Sequence, residues 1–331
     1  MVRPGISIVN RLYYAYARHA LVTALRMARV QPGDTVLIPH FICRDVLSSL
    51  RAVDAVPVFY HIDDDFQVAS HEKLPPAKAL LAVNYFGFPA NLARIQHQLT
   101  DATTLIIEDN AHGWLSADEH GVALGTRTSL GITSFRKTIR SIDGAFLEWN
   151  EAVPLDFKAL HAPLEARKDL LPLGHQVRRL VSEIDRNTPL TLMSIARKTI
   201  RAARLLGGKP AIDLRPEEEN ELPTNRAIHK SSLAMMSRCD RFGERQRRQQ
   251  AFRQCHELAV TFGIQSPRLQ LTPEVSPQGF PFFVHQGDSE PFRRSILRQK
   301  LGEIVSWPSL PKESDIPTMS PLRNLRLVNF L

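Results

Sequence analysis

Five short apolar runs punctuate the first half of the chain: Val36-Leu37-Ile38, Val56-Pro57-Val58-Phe59-Tyr60, Ala79-Leu80-Leu81-Ala82-Val83, Thr104-Leu105-Ile106-Ile107 and Ala145-Phe146-Leu147-Glu148-Trp149. Apolar residues stand at successive positions rather than alternate ones, which predicts strands buried on both faces, as in a largely parallel sheet covered by helices. Amphipathic stretches between them, such as Arg44 to Val53 and Asn91 to Leu99, predict helices. From about Ala20 to Trp149 the chain therefore reads as a βαβ series, an α/β unit. Beyond it the pattern turns helical and basic from about Glu151 to Leu206, and Gly207-Gly208-Lys209-Pro210 with Pro216-Glu217-Glu218-Glu219 marks a loop or boundary. A long helix is expected from about Ser231 to Phe262, with strands at Gln278 to Val284 and Leu325 to Val328 in a proline-rich tail. The expected division is a large α/β domain over residues 1–225 and a small α+β domain over residues 226–331.

Composition changes this picture little. The chain has 331 residues, 43% of them hydrophobic, enough for a large core. The opening Met1-Val2-Arg3-Pro4-Gly5-Ile6 has no apolar leader and no later run is long enough for a membrane helix, so a cytoplasmic protein without membrane insertion is expected. Cys43, Cys239 and Cys255 are too scattered for a disulfide framework or a C-x-x-C pair, which fits a reducing compartment. The net charge of +8 suits an anionic partner. Arg238, Arg241, Arg245, Arg247, Arg248 and Arg253 fall largely opposite the apolar face of the long helix and read as a solvated face. No stacking aromatics interleave with them, so nucleic acid is not the expected partner.

In open α/β sheets chemistry collects beyond the carboxyl ends of the strands. There stand His40, then Asn84-Tyr85-Phe86-Gly87, then Glu108-Asp109-Asn110-Ala111-His112, and the strand-like Gly131 to Phe135 that leads into Arg136-Lys137. A strand-end Asp109 in a partly desolvated cleft needs a cation, such as a protonated pyridine nitrogen, and His112 could touch the same ligand; the plainer reading is a loop-capping aspartate. No third and fourth ligand at a telling spacing supports a metal site. Lys137 lies close to Arg136 and Arg140, and neighbouring cations favour the neutral, nucleophilic amine; the plainer reading is a surface lysine.

Together these residues resemble the DegT/StrS-type sugar aminotransferases, pyridoxal 5'-phosphate (PLP)-dependent enzymes of fold type I. The resemblance covers about Tyr14 to Trp149 and rests on Gln31-Pro32-Gly33-Asp34-Thr35-Val36-Leu37-Ile38-Pro39, Ala55 to Phe59, Asn84 to Ala90, Ile107 to His112, and Ser134-Phe135-Arg136-Lys137 with Asp143-Gly144, in the family's order. It implies that Lys137 forms the Schiff base with the cofactor, that Asp109 pairs with the pyridine nitrogen, that His112 contacts the ring or its phenolic oxygen, and that Ser134 binds the phosphate. Ala17 stands where glycine is common in the phosphate turn, with Arg18 able to contribute charge. Cys43 aligns with the ring-stacking aromatic, for which Phe41 or His40 could substitute. The resemblance further implies transfer of an amino group, from a donor such as glutamate, to a keto sugar in nucleotide-linked form, in surface-polysaccharide or related glycan biosynthesis, by a homodimer. The alternatives are a non-catalytic or regulatory protein of the same fold and a PLP-dependent sugar dehydratase; members of the latter group commonly lack the lysine. Past Trp149 the likeness thins to Ser231 to Leu258 and Ser306-Trp307-Pro308, and relatives usually continue beyond Leu331, so the small domain is expected to be minimal or truncated.

Overall fold

The computed structural model describes residues 10–150, 154–160, 164–170, 222–223, 225–284, 289–306, 310–311, 314 and 320–331. The apolar runs become strands of one seven-stranded sheet: β1 (Asn10–Tyr14), β2 (Thr35–Pro39), β3 (Val56–Tyr60), β4 (Ala79–Val83), β5 (Leu105–Asn110), β6 (Leu130–Thr133) and β7 (Ala145–Trp149), in the order β1-β7-β6-β5-β4-β2-β3. β3, β2, β4, β5 and β6 run parallel, whereas β7 is antiparallel to both β6 and β1. All five residues of β4, an interior strand of the sheet, are buried. Helices α1 (Ala17–Met27), α2 (Asp45–Arg51) and α3 (Leu92–Gln98) lie between the strands. Asn91 sets the start of α3 by accepting a hydrogen bond from the Arg94 N–H at 2.9 Å.

The expected helix from Ser231 to Phe262 is two helices, α4 (Lys230–Ser237) and α5 (Arg241–Thr261). Asp240 breaks it, because its carboxylate accepts from the Gly243 N–H at 3.0 Å and so caps a new helix rather than continuing the old one. Nor are all the arginines of this stretch solvated. Arg248 is fully buried, since its guanidinium is consumed by Glu244 and by the carbonyls of Pro277, Gln278 and Thr138. A second, three-stranded antiparallel sheet is formed by β8 (Gly279–Phe283), β9 (Glu303–Ser306) and β10 (Leu325–Asn329), with β10 in the middle, and α6 (Glu290–Arg298) precedes β9. The helical pattern expected from 151 to 206 and the boundary near 207–219 lie almost wholly outside the described residues; Phe157–Ala159 forms a single 3-10 turn. One apolar core runs under both sheets. Phe252 of α5 joins them, with its ring 5.5 Å from that of Phe88 and 5.2 Å from that of Phe280.

Candidate active site

Because β4, β5 and β6 are parallel, the segments that follow them emerge at one edge of the sheet. Asn84 and a 3-10 turn (Tyr85–Gly87) follow β4, Asp109 lies at the end of β5, and Ser134 with a second 3-10 turn (Phe135–Lys137) follows β6. A cavity of about 320 Å³ opens there. Ala17, Arg18, Cys43, Asp109, His112, Ser134 and Lys137, all singled out in the sequence, line it. Phe41 does not: its ring is buried in an apolar stack with Phe66 and Tyr85, where it sheds all contact with water, and the Tyr85 hydroxyl donates to its carbonyl. His40 is likewise withdrawn, its Nδ1 accepting the Ile62 N–H at 3.3 Å.

The loop carrying Lys137 is held by the residues after it. Gly144 adopts φ +139, and a Cβ there would sit 2.2 Å from the Phe135 ring. Asp143 accepts hydrogen bonds from Ser232 Oγ at 2.7 Å and Arg167 Nη2 at 2.8 Å, which ties the loop to the start of α4. Behind Asp109, the fully buried Glu108 accepts from Arg127 Nε at 2.7 Å and from Asn84 Nδ2 at 2.8 Å, while Arg127 also donates to Asn84 Oδ1 at 2.8 Å. This network locks the ends of β4 and β5 to each other.

Lys137 Nζ lies 3.2 Å from His112 Nε2, and the Phe86 N–H points at His112 Nδ1 from 3.3 Å. Nδ1 is therefore the acceptor, which puts the ring hydrogen of a neutral imidazole on Nε2. That hydrogen can be shared with Lys137 when the amine offers a lone pair. Burial, then the charge of Lys137, drives His112 well below the usual histidine range, and burial, helped by the Arg136 cation, lowers Lys137. Burial raises Asp109, opposed by the hydrogen bond it accepts from the Ala111 N–H at 2.9 Å and by Lys137.

At the other end of the cavity stands an anion-attracting group that sequence reading only half found. Tyr16 precedes α1 without capping it through its side chain, so the first N–H groups of that helix are left for a ligand. The Tyr16 ring carries the Arg18 guanidinium at 4.9 Å and that of Arg136 at 5.2 Å. Arg18 is also 3.6 Å from Asp45, and Arg136 Nε is buried without a hydrogen-bond partner among the described residues. Arg136 was visible in the sequence only as a neighbour of Lys137. Tyr85, from a strand end the sequence marked, also lines the cavity, as do Tyr16, Gln278 and Asn329, which no local signal marks.

Among the described residues no group of three or more His, Cys, Asp or Glu side chains is placed to share a metal ion, and no helix is long and apolar enough to cross a membrane.

The model of the DegT/DnrJ/EryC1/StrS aminotransferase family matches residues 14–147. Over 121 residues the chain is 32% identical to a UDP-N-acetyl-3-dehydro-alpha-D-glucosamine 3-aminotransferase of Acidithiobacillus ferrooxidans, an alignment covering 35% of the chain and 32% of that protein. Over 229 residues it is 25% identical to an arginine decarboxylase of Bacillus subtilis, covering 59% of the chain and 47% of the relative. The chain thus spans between about a third and a half of the length of these relatives. Among solved structures it resembles the aminotransferase TlmJ of Streptoalloteichus hindustanus, with a TM-score of 0.61 at 16% identity over 96% of this chain and 80% of that one. At that identity the likeness gives the fold, that of the PLP-dependent transferases of fold type I.

Proposed function

We propose that the protein is a PLP-dependent aminotransferase that moves an amino group, from a donor such as glutamate, onto a nucleotide-linked keto sugar. The observation that carries this reading is the contact of Lys137 with His112 beside the buried Asp109 carboxylate, at the ends of three parallel strands. The residues fit the cofactor at both ends. The partnerless Arg136 Nε, the open start of α1, Arg18, Ala17 and Ser134 suit a phosphate, and Asp109 suits a protonated ring nitrogen. When bound, PLP supplies an aldehyde for an amine and a ring that stores the electron pair left when a substrate carbon loses a proton.

The chain's own residues do the rest. Lys137, its amine pushed toward neutrality by burial, would offer Nζ as nucleophile and as the base that carries the proton. Asp109 keeps the proton on the ring nitrogen. His112 orients Lys137 and packs on Phe86, the rings nearly parallel at 12°. The presence of Lys137 argues against the dehydratase alternative, and its built, desolvated surroundings argue against a non-catalytic protein. The surplus of +8 suits an anionic sugar nucleotide. A homodimer, a role in surface-polysaccharide or related glycan synthesis, and a cytoplasmic setting complete the reading; the free state of Cys43, Cys239 and Cys255 supports the last.

The test is the visible absorbance of the purified chain with PLP, before and after borohydride reduction, with peptide mapping. A new band fixed by reduction onto Lys137, and absent from Lys137→Ala, is expected. A wild-type protein that gains no band would overturn the reading.

A further inference from the structure

Among the described residues two carboxylates line the Lys137 cavity, Asp109 and Asp45. Asp109 stands at the end of β5, where a cationic ring nitrogen suits it. Asp45 stands at the other end, among the groups that suit a phosphate, and no step of the proposed reaction uses it. Asp45 is the first residue of α2, and an acidic residue in the first turn complements a helix dipole. That accounts for a carboxylate at this position but not for its direction, since it leans into the cavity to within 3.6 Å of Arg18 Nη1.

Arg18 does not need this contact for its placement. At 3.6 Å the pair is too far apart for a hydrogen bond, and the guanidinium already lies over the Tyr16 ring, 4.9 Å from its centre. The backbone holds the two residues at this separation. Ser49 Oγ of α2 donates to the Arg18 carbonyl at 2.9 Å, which fastens α2 to the start of α1. The field of Asp45 also reaches past Arg18. Burial lowers Arg136 and Lys137, and for both the charge of Asp45 is among those that oppose the shift. Two guanidiniums, Arg18 and Arg136, thus face one carboxylate, a surplus of one positive charge. A phosphate ester brings about one and a half to two negative ones.

We propose that Asp45 is a resident counter-ion that competes with the cofactor phosphate for Arg18 and Arg136, and so makes the hold on the cofactor loose and exchangeable. The inference rests on the aminotransferase reading, and it deepens that reading by naming the residue that governs cofactor release. A cation shared with Asp45 gives less to the phosphate, and across a partly desolvated cavity the carboxylate repels the phosphate directly. The aldehyde form of the cofactor has a bond to Lys137 to retain it, whereas the amine form is held by non-covalent contacts alone. The amine form is therefore the one whose release Asp45 favours.

The experiment is calorimetric titration of the full chain with 4'-deoxypyridoxine 5'-phosphate and with 4'-deoxypyridoxine. Neither has an aldehyde, so neither bonds to Lys137, and the ratio of their affinities reads the phosphate end alone. Asp45→Asn and Asp45→Ser are each expected to raise that ratio about ten-fold, and Asp45→Glu to leave it near the wild-type value. A change in folding or in cavity shape would move both ligands together and leave the ratio where it was. Asp45→Asn is also expected to slow release of pyridoxamine 5'-phosphate from the loaded protein about ten-fold. Three results overturn the assignment: a ratio that is unchanged or lowered in both neutral variants, a ratio that Asp45→Glu raises as much as they do, or a phosphate ligand that neither neutral variant binds. A raised ratio in a chain that gains no PLP band would sink the aminotransferase reading and leave the competition at Arg18 and Arg136 standing.

Discussion

At the scale of single residues, the site depends on keeping charge off the groups that a solvated protein would charge. Lys137 is lowered by burial and by Arg136 beside it, so removing that cation raises the amine back toward its ordinary range. Arg136→Gln is therefore expected to move the pH at which Lys137 takes up an aldehyde upward. Stopped-flow absorbance with pyridoxal, which lacks the phosphate, isolates this effect from the loss of an anion contact; an unshifted profile would show that Arg136 does not tune the amine. A second pair of buried groups governs acid stability. Burial, followed by the charge of His61, pushes His40 down to about 4, and burial, followed by Arg18 and Arg226, does the same to His19. With folded values below the unfolded one, each contributes stability that is present above pH 6.5 and is lost as the pH falls toward about 4. The loss is on the order of 3 kcal/mol for each group. His40→Asn keeps an acceptor for the Ile62 N–H and removes the titration, so its urea midpoint is expected to fall less than that of the wild type between pH 7 and pH 5.

At the scale of elements, β4 and β5 are held at their chemically important ends by Asn84, Glu108 and Arg127 rather than by apolar contact alone. The Arg127 and Glu108 side chains are 9% and 0% exposed. Arg127→Met strands a buried carboxylate, at a cost of about 3–5 kcal/mol, and Glu108→Gln in the same chain is expected to restore part of it; urea unfolding of the single and double variants measures both. If the single variant loses under 1 kcal/mol, the network is not what fastens the strands.

What the sequence disclosed about these elements follows from how local their causes are. Parallel strands covered on both faces leave uninterrupted apolar runs, and β2, β4 and β5 were legible for that reason. β1 was not, because an edge strand reading Asn10-Arg11-Leu12-Tyr13-Tyr14 has no such run. The break between α4 and α5 carries neither proline nor a terminal glycine, only an aspartate whose choice to cap depends on the packing around it. Asp109, His112, Ser134 and Lys137 were visible because strand ends are visible. Arg127 and Tyr16 were not, since partners far along the chain give each its place.

At the scale of the whole molecule, the division at residues 225 and 226 separates two sheets, but the apolar contacts cross it. β10, the middle strand of the small sheet, sends Leu327 and Asn329 into the cavity that holds Lys137, and β9 adds Val305 and Ser306. The Gln278 N–H donates to the Phe86 carbonyl at 2.8 Å, and Ser276 N to Ser116 Oγ at 2.8 Å, so the strand leading into the small sheet is stitched to the turns beside Asp109 and His112. We propose that the two sheets, though distinct in topology, melt together. Phe252→Ala removes the ring between Phe88 and Phe280 and is expected to cost about 3–5 kcal/mol. Hydrogen exchange across a urea series reads the consequence strand by strand. Amides of β4 and β5 and those of β10 are expected to lose protection at one common urea concentration in the wild type, and at a lower common one in Phe252→Ala. Separate losses in the wild type would mean that each sheet keeps a core sufficient for itself. The wall that β9 and β10 give to the Lys137 cavity would then open without unfolding the strands that carry Asp109 and Lys137.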